Sequence, residues 1–136
     1  FNFFKASNNQ TTIFKKIDFC LRQVGLVKAI NQPVKSLSHG DCRKLEIAMA
    51  LASDAKLLLL DEPMAGLGPS ETQEMISLLN KLKGKQTILL VEHDMDAVFA
   101  LADRISVLVS GEIIATGEPN NIRRDSKVQK AYLGEA

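Results

Sequence analysis

Tryptophan is absent, tyrosine occurs once, cysteine twice, and no apolar run approaches the length of a membrane-spanning helix. Crossing a bilayer takes about 20 apolar residues in succession, so the chain offers no span. Cys20 and Cys42 are too few for a disulfide framework, and no Cys/His spacing of the metal-binding kind is present. A reducing cytosol is the simplest setting. Excess charge is lacking too: 17 basic against 16 acidic side chains leave +1, so no global field favours nucleic acid or an anionic membrane surface. None of the eight glycines, at 25, 40, 66, 68, 84, 111, 117 and 134, opens a Gly-x-x-x-x-Gly-Lys-Ser/Thr phosphate loop. The opening Phe1-Asn2-Phe3-Phe4-Lys5 is no signal peptide, and without an initiator Met the natural N-terminus is expected upstream.

What is present suits a globular fold. A hydrophobic share of 46% over 136 residues is enough for the core of one ordinary domain. Residues 1–12 turn from aromatic to polar without a period and read as loop or frayed helix. From Ile13, the positions Ile17, Leu21 and Val24, with Phe14 and Phe19 nearby, predict an amphipathic helix that Gly25 ends or bends. A short second element precedes Pro33. Ser38 and Asp41 have capping-box spacing ahead of a stripe of Leu45, Ala48, Met49 and Ala52, which predicts a helix over about 41 to 53.

Leu57-Leu58-Leu59-Leu60 then reads as a central strand covered on both faces, ending on Asp61-Glu62-Pro63. Ser70 and Gln73 repeat the capping-box spacing ahead of Met75, Leu78, Leu79 and Leu82, a stripe that lasts until Gly84. Thr87–Val91 is a second short strand, after which Asp94 can cap a helix carrying Ala97, Val98 and Leu101. Two strand-helix alternations predict a parallel sheet. Ile105–Val109 and Glu112–Thr116 flank Ser110-Gly111 as a tight hairpin, expected to close the sheet with an antiparallel edge. The tail from Pro119 is polar and mostly helical by pattern.

Chemistry enters at the strand ends. In open α/β sheets ligands bind beyond the carboxyl ends of the strands, which is where Asp61 and Glu62 project. A Mg²⁺ ion that keeps most of its water needs only one or two protein carboxylates, so Asp61 could hold one directly or through water. Glu62 could orient and polarise an attacking water, the division of labour that in-line phosphoryl transfer asks for. Ser38, His39 and Gly40 open a helix whose first amides can meet phosphate oxygens, although Asp41 would repel a phosphate unless it faced away. His93 follows the second strand, where an imidazole can hydrogen-bond a terminal phosphate. Singly, these are also a charged turn, an ordinary cap and a structural histidine. Cys42 reads as a small, partly buried residue with no base placed beside it.

Their order carries more than any one of them. Leu37-Ser38-His39-Gly40-Asp41 opening a helix, Leu57-Leu58-Leu59-Leu60-Asp61-Glu62-Pro63, then Val91-Glu92-His93-Asp94-Met95 resemble the ABC-type ATPases over roughly residues 13–136, the C-terminal half of that domain. The resemblance makes these the signature motif, the Walker B strand and the switch histidine. It implies an α/β fold with a mainly parallel sheet, flanking helices and an antiparallel edge hairpin. Residues 1–54 would be part of a helical subdomain ending in the signature helix, and residues 55–136 the C-terminal part of the ATPase core. Asp61 becomes the Mg²⁺-side carboxylate, Glu62 the catalytic base and His93 the γ-phosphate contact, with Ser38, His39, Gly40 and Asp41 facing a partner's ATP.

Wording such as Met64-Ala65-Gly66-Leu67-Gly68-Pro69 and the closing Val128-Gln129-Lys130-Ala131-Tyr132-Leu133-Gly134-Glu135 is similar to the ATP-binding subunits of branched-chain amino acid importers. Urea and amide importer subunits share much of it. The resemblance implies ATP and Mg²⁺ as cofactors, a second ABC ATPase subunit, transmembrane permease subunits and, indirectly, a substrate-binding protein as partners, no nucleic acid, and a peripheral place on the cytoplasmic face of the plasma or inner membrane. His39, Asp41 and Gly68 depart from the commoner family residues, Gly68 standing where many members carry the D-loop aspartate. With the Walker A lysine and the Q-loop glutamine both missing, the 136 residues alone are expected not to hydrolyse ATP, and Leu57–Leu60 to be left as an unpaired apolar edge. Two other readings stay open: half of a DNA-repair-type ATPase, which near-neutral charge and the lack of long heptads oppose, and a subunit that only lends its signature, which Glu62 and His93 oppose.

Overall fold

The computed structural model describes residues 3–133, so Phe1, Asn2 and the expected Gly134-Glu135 close lie outside the described residues. The chain forms two compact units, Phe1–Glu92 and His93–Ala136.

The first unit opens with helix α1, Phe3–Gln23, so the polar stretch before Ile13 is helical rather than loop. Gly25, at φ +78°, turns the chain out of that helix. Leu21 and Val24 are buried with Cys20, but Phe14, Ile17 and Phe19 point outward. A 3₁₀ turn at Val27–Ala29 is the short element expected before Pro33. Helix α2, His39–Ala52, is capped by Ser38, whose hydroxyl accepts the Asp41 N–H at 3.1 Å. Its inner face holds Ala48 as expected, but with Ile47, while Met49 is exposed.

Strands β1 (Leu57–Asp61) and β2 (Thr87–Val91) pair in parallel, Leu57 opposite Thr87 and Asp61 opposite Val91. Helix α3 (Pro69–Leu82) connects them and buries Met75, Leu78, Leu79 and Leu82, all below 7% exposed. Its cap lies two residues earlier than the Ser70/Gln73 spacing suggests. Gly68 is the N-cap, Pro69 takes the first helical position that suits proline, and Glu71 accepts the Gly68 N–H at 3.2 Å. The strand is not covered on both faces: Leu58 is 2% exposed, yet Leu57, Leu59, Leu89 and Val91 range from 48% to 68%. With side chains alternating at period two, these four share one face, opposite Leu58.

In the second unit, Asp94 caps α4 (Met95–Leu101) by accepting the Ala97 N–H at 3.1 Å. Strands β3 (Ile105–Val109) and β4 (Glu112–Gly117) form an antiparallel hairpin through Ser110 and Gly111, at φ +50° and +85°. Two positive φ values in a two-residue loop match the twist of the flanking strands. Among the described residues β3 and β4 pair with each other, giving the antiparallel hairpin that the sequence predicts. Its inner residues Ile105 and Val107 pack with Ile122 of α5 (Pro119–Arg124) and Val128 of α6 (Ser126–Val128). Tyr132 donates to the Leu108 carbonyl at 2.7 Å and ties down the tail.

The burial pattern sets the cost of truncation at two apolar positions. Met75, at 0% exposed, makes full contact on every side, so Met75→Ala should cost about 2–5 kcal/mol. Leu59, at 68% exposed, should tolerate Thr within about 0.5 kcal/mol in the 136-residue chain. Urea unfolding of the two variants measures the contrast, and equal losses would contradict it.

Candidate functional site

The site is built from the carboxyl end of β1 and the loop that follows. Asp61 ends the strand with its side chain exposed, and Glu62 is the first residue beyond. Glu62 donates its N–H to the Val91 carbonyl at 2.9 Å, extending the β1–β2 ladder by one bond. At φ +44° it occupies the left-handed region, where a residue with a Cβ pays about 1–2 kcal/mol. That strain was invisible in the sequence. The pairings on either side hold it, and strain of this kind gathers at functional sites.

The loop from Glu62 to Gly68 is bonded along its length. Ala65 donates to the Glu62 carbonyl at 3.0 Å and Leu67 to the Met64 carbonyl at 3.1 Å, making two successive turns. Glu92, just past β2, accepts the Met64 N–H at 3.0 Å. Sequence reasoning missed this role for Glu92, and also the bond from Glu71 to Gly68. The Gly-Pro-x-Glu spelling of residues 68–71 is the signal that would have found the second.

Ser38, His39, Gly40 and Asp41 stand together at the start of α2, within the same unit as Asp61 and Glu62. Asp41 places its carboxylate 3.4 Å from the Lys44 ammonium on its own helix, which offsets its charge at the helix start. His93 follows β2 by two residues and opens the second unit, exposed like Asp61 and Glu62. Cys42 is a free, half-buried thiol. No cluster of three or more His, Cys, Asp or Glu fit to hold a metal exists among the described residues. Because Mg²⁺ needs only one or two protein carboxylates, Asp61 at an open strand end still suits it.

Comparison with known proteins settles the lineage. Residues 2–65 match the family model for ABC transporters and residues 112–136 that for the branched-chain amino acid ATP-binding cassette transporters. The chain is 44% identical, over 118 residues, to the high-affinity branched-chain amino acid transport ATP-binding protein LivG of Escherichia coli, covering 85% of this chain and 46% of that protein. The chain belongs to the ABC transporter ATP-binding family. It is also 42% identical to BraF of Pseudomonas aeruginosa, a protein of the same description, over 85% of this chain and 46% of BraF. Among solved structures, the ADP conformation of an ABC transporter ATP-binding cassette superposes with a TM-score of 0.81 at 32% identity, over 91% of this chain and 51% of that one. This ABC chain thus spans about half the length of the curated relatives it matches.

On α2 of this ABC chain, Lys44 reaches across to Glu74 of α3 at 2.6 Å. Burial alone would lower the Lys44 pKa, but the bonds and charges of Glu74 and Asp41 outweigh it and leave the ammonium raised. The Lys44 hydrogen bond holds the Glu74 carboxyl below its usual range. The signs fix a window. A depressed carboxyl stabilises the fold above its unfolded value of 4.5 and loses that contribution as pH falls through the folded value. A raised ammonium stabilises below its unfolded value of 10.5 and loses it as pH climbs through the folded one. Lys44→Met should therefore lower the melting temperature by a constant amount across neutral pH, with the difference from wild type shrinking on acidification below the carboxylate range. A difference that persists at full size in acid would mean the lysine acts through packing alone.

Proposed function

We propose that this chain carries the Walker B, D-loop, switch and signature elements of the ATP-hydrolysing subunit of an importer for branched-chain or other hydrophobic amino acids. The observation that bears most weight is the end of β1, where the strand hands Asp61 and Glu62 to the open side and the chain is held at φ +44° at the second carboxylate. Residues 1–54 are assigned to the helical subdomain that ends in the signature helix, and residues 55–136 to the ATPase core.

Glu62 receives the proton of the attacking water and orients it toward the terminal phosphate, a role worth about 10²–10⁴ in rate for a placed general base. Asp61 is the carboxylate that would hold Mg²⁺, which when bound neutralises phosphate charge. His93 hydrogen-bonds the γ-phosphate. Ser38, His39, Gly40 and Asp41 serve the ATP of the opposing subunit, Ser38 by its hydroxyl and the next residues by first-turn N–H groups aided by the helix dipole. Two such subunits close head to tail on ATP and reopen after hydrolysis. The motion passes through the helical subdomain to transmembrane permease subunits, which receive substrate from a binding protein. No helix of the described residues is long and apolar enough to cross a membrane, which suits a peripheral subunit docked on the cytoplasmic face.

The remaining strands of the cassette are assigned to the open edges of the β1–β2 pair and to the apolar face of Leu57, Leu59, Leu89 and Val91. A sheet edge with such a face is an aggregation site when left bare. The 136 residues alone should accordingly be poorly soluble or require a co-folding partner, and should show negligible ATP hydrolysis without a phosphate loop. In the intact cassette, Glu62→Gln should lower kcat by about 100-fold or more while ATP binding persists. Steady-state phosphate release and nucleotide titration separate the two effects, and a wild-type rate in Glu62→Gln would remove Glu62 from the chemistry.

A further inference from the structure

Two side chains of the first unit bridge the signature turn and the loop behind Glu62. His39 Nε2 lies 3.3 Å from the Ala65 carbonyl oxygen, and since a carbonyl only accepts, that nitrogen carries the hydrogen and donates it. The ring lies so close to the loop that a Cβ on Gly66, already at φ +77°, would stand 3.3 Å from Nε2. From the other side, Glu71 accepts the Gly68 N–H through Oε2 at 3.2 Å. Its Oε1 lies 2.7 Å from where a Cβ on the buried Gly40 would stand. A side chain at 40 would therefore push the Glu71 carboxylate out of the place from which it holds the Gly68 N–H.

We propose that His39 and Glu71 are positioning residues that lock the signature turn Ser38–Asp41 to the Glu62–Gly68 loop of the same subunit, so that the two move as one piece. This rests on the function proposed above. In a head-to-tail pair the signature serves one ATP and Glu62 the other, so the lock joins the two nucleotide sites through a single subunit. A change at the signature reaches the loop through the Ala65 carbonyl and the Gly68 N–H, over a path with no flexible side chain longer than a glutamate. Glu92 at Met64 holds the other end of the loop and keeps it from absorbing the displacement.

Hydrogen exchange on the intact cassette tests the lock directly. Loss of one hydrogen bond of ordinary strength should speed exchange of the Leu67 and Gly68 amides about fivefold in His39→Ala, with Leu79 and Leu82 of α3 unchanged. His39→Gln, which keeps a donor, should return exchange to within about twofold of wild type. Wild-type exchange in His39→Ala overturns the proposal. Should that variant unfold, seen as fast exchange in α3 as well, His39→Phe keeps the ring, removes the donor and decides in its place. For the coupling, the Hill coefficient of ATP hydrolysis should exceed 1 in wild type and fall toward 1 in His39→Ala. A coefficient of 1 in wild type, or one the variant leaves unchanged, overturns the link between sites. Absence of any ATP hydrolysis in the wild-type cassette would instead sink the functional reading and leave the exchange result standing.

Discussion

The parallel pairing of Leu57–Asp61 with Thr87–Val91 is the constraint on which the first unit depends. A parallel pair cannot be joined by a tight turn and needs a crossover of a dozen residues or more, here α3. Burying Met75, Leu78, Leu79 and Leu82 supplies the driving force for that crossover. The in-register pairing then brings the end of β1 level with the end of β2. Every functional assignment in the unit inherits its place from this register. A slip of one residue would turn Leu58 out and move Glu62 off the Val91 carbonyl.

That same pairing leaves an imbalance. One face of the two strands holds the buried Leu58, while the other presents Leu57, Leu59, Leu89 and Val91 to solvent. The outer side of α1 repeats the pattern with Ile13, Phe14 and Phe19. Apolar residues at alternating strand positions on both faces are the mark of a strand meant for the interior of a larger sheet. The second unit buries Ile105 and Val107 of its hairpin against Ile122 and Val128, while Leu108 and Ile113 on the hairpin stay exposed.

How much of this the sequence disclosed follows from the range of the interactions concerned. Ser38 and Asp94 were legible as caps because a cap is a contact across three residues. The strands, the α3 stripe and the Ser110-Gly111 turn were legible for the same local reason. Coverage of β1 was not, because four leucines in a row fit a strand buried on both faces whether or not the covering elements are present. Within the site, the residue types and order of Asp61, Glu62 and His93 were plain. The roles of Glu92 and Glu71, and the ring of His39 turned to the loop, depend on contacts 28, 3 and 26 residues apart. Only the Glu71 contact lay within reach of local reading, and the more familiar Ser-x-x-Gln spelling beside it concealed it.

The strain at Glu62 gives the loop its mechanical character. A carboxylate at φ +44° would relax toward ordinary backbone if either neighbour let go, and neither does: its own N–H is held by Val91 and the next N–H, that of Met64, by Glu92. Val91 ends β2 and Glu92 follows it, so the Glu62 backbone is indexed to the end of that strand. Glycine would satisfy the backbone at this position more cheaply by about 1 kcal/mol, and a glutamate is there instead. Glu62→Gly should therefore be more stable than Glu62→Ala by about that amount in urea unfolding, although both lack the carboxylate. Equal stabilities would mean that the loop relaxes freely, and that the left-handed geometry at Glu62 constrains nothing beyond it.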